Sequence, residues 1–254
     1  MRDRESGKSI AERKGRRMLN TILFDLDGTL IPMSQEAFVH AYFAELTDEL
    51  KPLGYEPEAL IRALWHGTGK MVKNDGSMTN REAFWNDFCA FFGEWAREHE
   101  GKIDRFYGER FDRAKKALRI QRNARPLIEM LQKKGYLLVL ATNPVFPGVA
   151  VRTRLRWVGL EAEDFSRITD YSNSRHCKPN PLYYQDILQS IGRRGEECMM
   201  VGNNVREDMV AQETGMQVFL LTDDLENESG AEYSAYPQGD YEELFRRMEA
   251  LPAL

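Results

Sequence analysis

The chain has 254 residues, enough for one large domain or two modest ones, and its 42% hydrophobic content is sufficient for a real core. A net charge of −5 argues against a nucleic-acid partner, because proteins that bind phosphodiester backbones concentrate positive charge. No apolar run approaches the roughly 20 residues that cross a bilayer, and no signal-peptide core follows the N-terminus, so we expect a cytoplasmic protein without a membrane partner.

The N-terminal residues 1–17 are polar and rich in Arg and Lys, and they show no apolar period. This composition predicts a disordered basic tail. A role of the tail in targeting or nucleic-acid contact is the less favoured alternative.

The stretch 22–30 is the strongest local feature, because an apolar run leads directly into Asp25, Asp27 and Gly28. It predicts a buried strand whose carboxyl end delivers two acids to a turn. Two carboxylates so close repel each other unless a cation lies between them, and Mg²⁺ suits a site of oxygen ligands that also holds phosphate. The alternative, an Asp-Gly hairpin, requires a second alternating strand immediately afterwards, and the sequence turns helical instead.

The next region, 34–119, shows apolar residues at helical spacing, with breaks at 52–54, 74–76 and 100–101. We predict a bundle of four or five helices, one of them capped by Thr79 or Asn80. Two stripes of its residues are predicted to be core: Phe38, Tyr42, Phe43 and Leu46, and Ala83, Phe84, Phe88, Phe91 and Phe92.

From residue 120 to residue 254, strands and helices alternate, as is typical of a parallel α/β sheet. We therefore predict a doubly wound α/β core formed by 18–33 and 120–254, with the helical region 34–119 inserted as a separate domain. The predicted elements are a helix at 123–134, strands at 136–142 and 167–171, helices at 149–158 and 181–188, strands at 198–202 and 218–221, a loop at 226–239 and a final helix at 241–251.

Polar residues follow the predicted strands: Asp25 and Asp27, then Thr142 and Asn143, and later Asn203 with Asp208. Parallel sheets bind their ligands outside the carboxyl ends of the strands, so we expect these side chains to meet. Taken singly, some of these residues have simpler explanations. Thr142 can cap a helix, and Asp208 can interact with a helix dipole. Lys178, which precedes Pro179, can likewise be a solvated loop residue.

Four segments together resemble the haloacid dehalogenase (HAD) superfamily. Residues 25–29 (DLDGT) match its first motif, Thr142 the second, Lys178 the third, and 202–208 (GNNVRED) the fourth. The helical insertion directly after the first strand resembles the first class of HAD cap, as found in phosphoglycolate and sugar-phosphate phosphatases.

The resemblance implies a role for each matched residue. Asp25 would be the nucleophile that forms an aspartyl-phosphate, and Asp27 the general acid and base. Thr142, Asn143 and Lys178 would bind the phosphoryl group, with Thr142 and Lys178 also catalytic. The Mg²⁺ ligands would come from Asp25, Asp27, Asn203 and Asp208.

The fourth motif departs from the family pattern, which usually has an acid where this chain has Asn203. The site therefore has one negative charge fewer and should hold Mg²⁺ less tightly. The expected function is Mg²⁺-dependent hydrolysis of a small phosphorylated metabolite. The alternatives are a phosphomutase, a haloacid dehalogenase, which would not need a proton donor at Asp27, and a binding or regulatory protein with a weakened site.

The segment 65–70 (WHGTGK) with Lys73, together with Arg81, is a candidate for closing over an anionic substrate. The alternative, a surface turn between helices beside a core Trp, is slightly favoured.

Overall fold

A computed structural model describes residues 18–118 and 122–254, so the predicted tail at 1–17 lies outside the described residues. The strands in chain order are β1 (Thr21–Phe24), β2 (Leu137–Leu140), β3 (Arg167–Ile168), β4 (Cys198–Gly202), β5 (Gln217–Leu221) and β6 (Gln238–Gly239). They form one sheet in the order β3-β2-β1-β4-β5-β6, and every pairing is parallel.

The first strand lies at the centre of this sheet. Phe24 pairs with Leu140 of β2 on one side and with Val201 of β4 on the other. All four residues of β1 are buried, as its apolar sequence predicts for a strand covered on both faces. β1 and its two neighbours, β2 and β4, therefore end at the same level and bring the segments that follow them to one edge of the sheet.

The α-helices in chain order are α1 (Gln35–Leu50), α2 (Pro57–Val72), α3 (Asn80–Phe92), α4 (Glu100–Glu109), α5 (Arg125–Lys133), α6 (Gly148–Trp157), α7 (Pro181–Ile191) and α8 (Tyr241–Glu249). Both faces of the sheet are covered. Ile22 and Phe24 pack in the cluster that contains residues of α5, α6 and α8, whereas Leu23 packs with residues of α7. The predicted doubly wound α/β fold is confirmed.

The helical insertion lies between β1 and β2 and contains α1 to α4. Its two connections run side by side, since Met33 forms an antiparallel bridge with Leu118. Thr79 begins α3 with a capping box, in which its side chain and Glu82 exchange hydrogen bonds with each other's backbone. The helical insertion is confirmed, and its boundaries at 33/34 and 119/120 stay a prediction.

The break expected at 100–101 lies within one residue of the boundary between a 3-10 helix (Glu94–His99) and α4, and a further break lies at Gly93, whose φ is +99°. Two local predictions in the insertion were wrong. Phe91 is 49% exposed, so it lies outside the core stripe. Segment 65–70 is not a turn between helices, because both of its glycines lie inside α2, which runs from Pro57 to Val72.

Across residues 18–118 and 122–254, no helix has both the length and the hydropathy that crossing a bilayer requires.

Candidate active site

Asp25 and Asp27 lie in the segment that follows β1. Asp25 is 7% exposed, and its backbone N–H donates to the carbonyl of Val201, which continues the sheet pairing by one residue. Gly28 then turns the chain with φ +80°, and a Cβ there would lie 2.1 Å from the side chain of Asn203. The turn therefore requires glycine both for its backbone angle and for the close approach of the neighbouring loop.

Lys178 joins two of the predicted site carboxylates. It precedes α7, is 1% exposed, and its Nζ donates to Asp25 Oδ1 at 2.8 Å and to Asp208 Oδ1 at 2.6 Å. Burial alone would lower the pKa of Lys178, but the carboxylates of Asp208 and Asp25 raise it well above its usual range. The lysine is therefore a permanent cation between two buried acids.

Asp208 reaches this position by packing directly over the end of β4. A Cβ on Gly202 would lie 2.2 Å from the Asp208 carboxyl group, so glycine is needed for the approach. The second oxygen of Asp208 accepts a hydrogen bond from the backbone N–H of Asn204 at 2.9 Å. Burial raises the pKa of Asp208 to about 6, against the opposing effect of Lys178.

Asn203 uses both ends of its amide within the protein. Its Oδ1 accepts from Thr29 Oγ1 at 3.0 Å, and its Nδ2 donates to the carbonyl of Asp224 at 2.7 Å. The side chain is 1% exposed and holds the loops after β1, β4 and β5 together. Its predicted role as a metal ligand stays a prediction, and only the remaining lone pair of Oδ1 is available for it.

Thr142 and Asn143 follow β2. The carbonyl of Thr142 accepts from Thr169 Oγ1 at 2.7 Å and from the Tyr183 hydroxyl at 2.9 Å. Asn143 donates to Glu207 Oε2 at 3.1 Å and accepts from the backbone N–H of Lys178 at 3.3 Å. These bonds hold the loop after β2 against the loops that carry Lys178 and Glu207.

Asp27 pairs with a cation that sequence reasoning missed. Arg154 of α6 donates from Nη1 to Asp27 Oδ2, and its side chain is 0% exposed. Asp27 Oδ1 is buried and accepts no hydrogen bond within the described ranges 18–118 and 122–254. Burial raises the pKa of Asp27, although Arg154 opposes the shift. One oxygen is therefore anchored, and the other is left to carry a proton.

Two further acids line the site. Burial raises the pKa of Glu207 to about 7 and also raises that of Glu226, which accepts a hydrogen bond from Asn204 Nδ2 at 3.0 Å. Glu207 was visible within segment 202–208, but nothing in the sequence distinguished it from a surface residue. Glu226 begins the predicted loop at 226–239, and no sequence signal connected it with the site.

The donor set fits a hard divalent cation. Five carboxylates line one cavity, Asp25, Asp27, Glu207, Asp208 and Glu226, and Lys178 and Arg154 are the cations in contact with them in the described part of the chain. The excess negative charge contributes to the raised pKa values of Asp208 and Glu207. Within that part, no three His, Cys, Asp or Glu side chains form a ready-made metal cluster. Two carboxylates with amide, phosphate and water oxygens suit Mg²⁺ better than a metal that needs a closed protein cage.

Comparison with known proteins identifies the family of the chain. The model of the haloacid dehalogenase-like hydrolase family matches residues 19–213. The chain belongs to this hydrolase family. The predicted resemblance is therefore confirmed, and the matched range includes all four motifs.

Individual relatives of this HAD-like hydrolase are distant. A phosphoglycolate phosphatase from Aliivibrio fischeri is 26% identical over 206 residues, which are 80% of this chain and 84% of that protein. A pyrophosphatase, PpaX from Bacillus cereus, is 22% identical over 207 residues, 80% of this chain and 83% of that protein. The crystal structure of YfnB from Bacillus subtilis, bound to magnesium, has a TM-score of 0.55 at 22% identity and covers 91% of this chain and 99% of its own.

Proposed function

We propose that this HAD-like hydrolase is a Mg²⁺-dependent phosphomonoester hydrolase that acts through an aspartyl-phosphate on Asp25. The observation that carries the proposal is the position of Lys178 Nζ between Asp25 and Asp208, at 2.8 and 2.6 Å. Such a cation suppresses the repulsion between an attacking carboxylate and a phosphoryl dianion. The relatives named as phosphatase and pyrophosphatase support hydrolysis of a P–O bond, and the first of them supports an ester as the substrate.

In the first step, a carboxylate oxygen of Asp25 attacks phosphorus while the bond from phosphorus to the leaving-group oxygen breaks. Asp27 donates its proton to that oxygen. Its raised pKa and its buried, unpartnered Oδ1 suit this task, and Arg154 holds the other oxygen in place.

In the second step, water attacks the phosphorus of the aspartyl-phosphate, and Asp27 takes the proton of that water. Asp25 is released as a carboxylate, and the products are the alcohol and inorganic phosphate. The hydroxyl and backbone N–H of Thr142, the amide of Asn143 and the ammonium of Lys178 would bind the phosphoryl oxygens.

Asp25 and Asp208 would hold Mg²⁺, with the side-chain oxygen of Asn203 as a further ligand. Asp27 would contribute only its backbone carbonyl oxygen, so that its carboxyl group stays free for proton transfer. When bound, the ion neutralises charge on the transferring phosphoryl group. We further propose that residues 34–119 act as a cap that excludes bulk water from this chemistry.

The test measures phosphate release from a panel of phosphomonoesters with and without Mg²⁺, for the wild type and for Asp25→Asn. Acid-quenched protein is analysed by mass spectrometry for a phosphoryl group on Asp25. Mg²⁺-dependent turnover that Asp25→Asn abolishes supports the proposal. Activity that survives the substitution would remove Asp25 from the nucleophile role, and absence of both turnover and Mg²⁺ binding would favour the regulatory alternative.

A further inference from the structure

The carboxylates of the site open into a cavity of about 210 Å³ that extends into the helical insertion. Its inner wall is apolar and largely aromatic. Phe38, Leu46 and Leu50 from α1, Trp85 and Phe88 from α3, and Phe146 from the loop after β2 all line it. An apolar cavity of about 150 Å³ is enough to hold a benzene ring. Because the same cavity must also hold the phosphoryl group beside the carboxylates, the space left for the alcohol suits at most about one ring or a short hydrocarbon chain.

Two polar groups of the inner wall, the hydroxyls of Tyr42 and Tyr107, are satisfied by each other. The hydroxyls of Tyr42 and Tyr107 form a hydrogen bond of 2.5 Å, and burial raises the pKa of both groups far above neutrality. The two rings are stacked, with their centroids 6.0 Å apart. The pair therefore contributes a neutral, closed surface and no charge.

No Lys, Arg or His among the described residues lines this cavity, whereas five Asp and Glu side chains do. The basic residues considered for the cap in the sequence, His66, Lys70, Lys73 and Arg81, do not line the cavity, and three of them lie beside acids elsewhere in the insertion. His66 Nδ1 lies 2.6 Å and Lys70 Nζ 4.0 Å from Asp87 carboxylate oxygens, and Arg81 is paired with Glu100 at 2.6 Å. These three side chains contact acids of the insertion itself and are not among the residues that line the cavity.

The two cations buried near the cavity are also committed. Arg154 lies with its guanidinium 4.4 Å from the Phe146 ring centroid and is ion-paired with Asp27. Lys178 is held between Asp25 and Asp208. Both act on the phosphoryl end of the site, so a second anionic group on the substrate would meet no cation in the described part of the chain that is not already paired with a carboxylate.

We propose that the cavity selects phosphomonoesters whose alcohol is uncharged and apolar, of about the size of one ring, and rejects substrates with a second anionic group. This inference rests on the proposed function and specifies its substrate class. Phosphoglycolate and pyrophosphate, the substrates that the names of the two relatives suggest, each have a further negative charge and are expected to be poor substrates here.

The physical reason is the cost of burying an unpaired charge. A carboxylate in the inner cavity would lose its hydration without gaining a cation, and the acids at the mouth would repel it. An apolar ring loses no strong hydration when it is buried, and it gains contact with the aromatic wall. We therefore expect a discrimination of at least about tenfold in kcat/KM between ligands that differ only by the charge.

The deciding experiment compares benzyl phosphate with 4-carboxybenzyl phosphate in Mg²⁺. The carboxylate lies across the ring from the ester and leaves the acidity of the alcohol almost unchanged, but it also lengthens the substrate. 4-Carbamoylbenzyl phosphate, whose uncharged amide has nearly the same size, is therefore the control for length, and equal turnover of the amide and the carboxylate would show that charge is not selected. Ethyl phosphate and phosphoglycolate form a second matched pair. We expect kcat/KM to be at least about tenfold higher for the uncharged member of each pair, and equal or reversed preference would overturn the proposal.

A gain of specificity provides a second test. Val39 of α1 lines the cavity and is partly buried, so a longer side chain can be placed there. Val39→Lys should raise the ratio of 4-carboxybenzyl to benzyl phosphate turnover several-fold, whereas Val39→Met, of similar length and without charge, should not. An equal effect of both variants would count against a role for charge.

Binding separates this inference from the proposed chemistry. Trp65 and Trp85 line the cavity, so ligand binding to Asp25→Asn can be followed by tryptophan fluorescence and by calorimetry. If no ester is hydrolysed, the proposed function fails, but tighter binding of benzyl than of 4-carboxybenzyl phosphate would still support the selectivity. Equal or reversed affinities would reject the selectivity whether or not the protein turns over.

Discussion

Arg154 of α6 and Asp27 after β1 form an ion pair in which the guanidinium is completely buried. The guanidinium lies over the ring of Phe146, and its Nε and Nη2 make no hydrogen bond within 18–118 and 122–254. A buried arginine with one partner depends strongly on that partner. Asp27, the general acid of the proposed mechanism, is therefore also the residue that balances the charge of the buried Arg154.

At alkaline pH, where Asp27 is ionised, Asp27→Asn should lower the free energy of unfolding by about 3–5 kcal/mol, because it leaves the Arg154 charge without a counterion. Adding Arg154→Met should recover much of that loss, since the pair is then replaced by neutral groups. Urea denaturation of both single variants and the double variant measures the coupling. A double variant no more stable than Asp27→Asn alone would contradict the role given to the pair.

Much of the site could be predicted because it lies at strand ends. β1 and β4 are apolar runs that end in polar residues, and parallel strands align those ends, so Asp25 and Asp208 were expected to meet. Lys178 does not follow either strand, and only the family resemblance placed it between them. The contacts of Asn203 could not be predicted, because its partners Thr29 and Asp224 are distant in sequence.

Arg154 was missed although the sequence holds a weak signal for it. It follows Ala150 and Val151 at helical spacing and precedes Val158, so it lies on the apolar stripe of α6. An arginine in such a stripe is usually assumed to reach solvent with its charged end. Only the structure shows that the stripe faces Asp27.

Lys178→Met should destabilise the metal-free protein most at alkaline pH. Without the ammonium, Asp25 and Asp208 repel each other as buried anions, and the expected loss in the free energy of unfolding is about 3–5 kcal/mol near pH 8. The pKa of Asp208 is already raised to about 6 and should rise further, so protonation relieves the repulsion and the loss should shrink toward pH 5. Chemical denaturation in EDTA across this range measures it.

Lys133→Met is the matched control, since Lys133 is an exposed lysine at the end of α5. It should change stability by only a few tenths of a kcal/mol at any pH. A pH-independent loss in Lys178→Met would contradict the assigned repulsion.

Asn203→Asp should lower the stability of the metal-free protein and increase its stabilisation by Mg²⁺. The new carboxylate cannot donate to the Asp224 carbonyl, which accepts from Nδ2 at 2.7 Å, so we expect a loss of about 1–3 kcal/mol in EDTA. It adds a hard anionic ligand to the site, so the rise in melting temperature on adding Mg²⁺ should exceed that of the wild type.

Asn227→Asp removes the same type of bond, an amide donating to the Ala231 carbonyl at 2.9 Å, in an exposed loop. This substitution should lower the free energy of unfolding much less than Asn203→Asp, and it should leave the rise in melting temperature with Mg²⁺ unchanged. If Asn203→Asp is as stable as the wild type in EDTA, the contact with Asp224 does not stabilise the loops.

Glu207 should make the metal-free protein less stable as pH rises. Burial raises its folded-state pKa from 4.5 to about 7, so the folded protein retains a proton that the unfolded chain releases. Stability therefore falls between about pH 4.5 and 7 and then levels off. Glu207→Gln retains an acceptor for Asn143 and cannot ionise, so relative to the wild type it should gain about 1–3 kcal/mol over this window.

Denaturation in EDTA at a series of pH values measures the difference, with Glu249→Gln, exposed on α8, as the control. A difference between wild type and Glu207→Gln that is constant with pH would show that Glu207 ionises equally in both states.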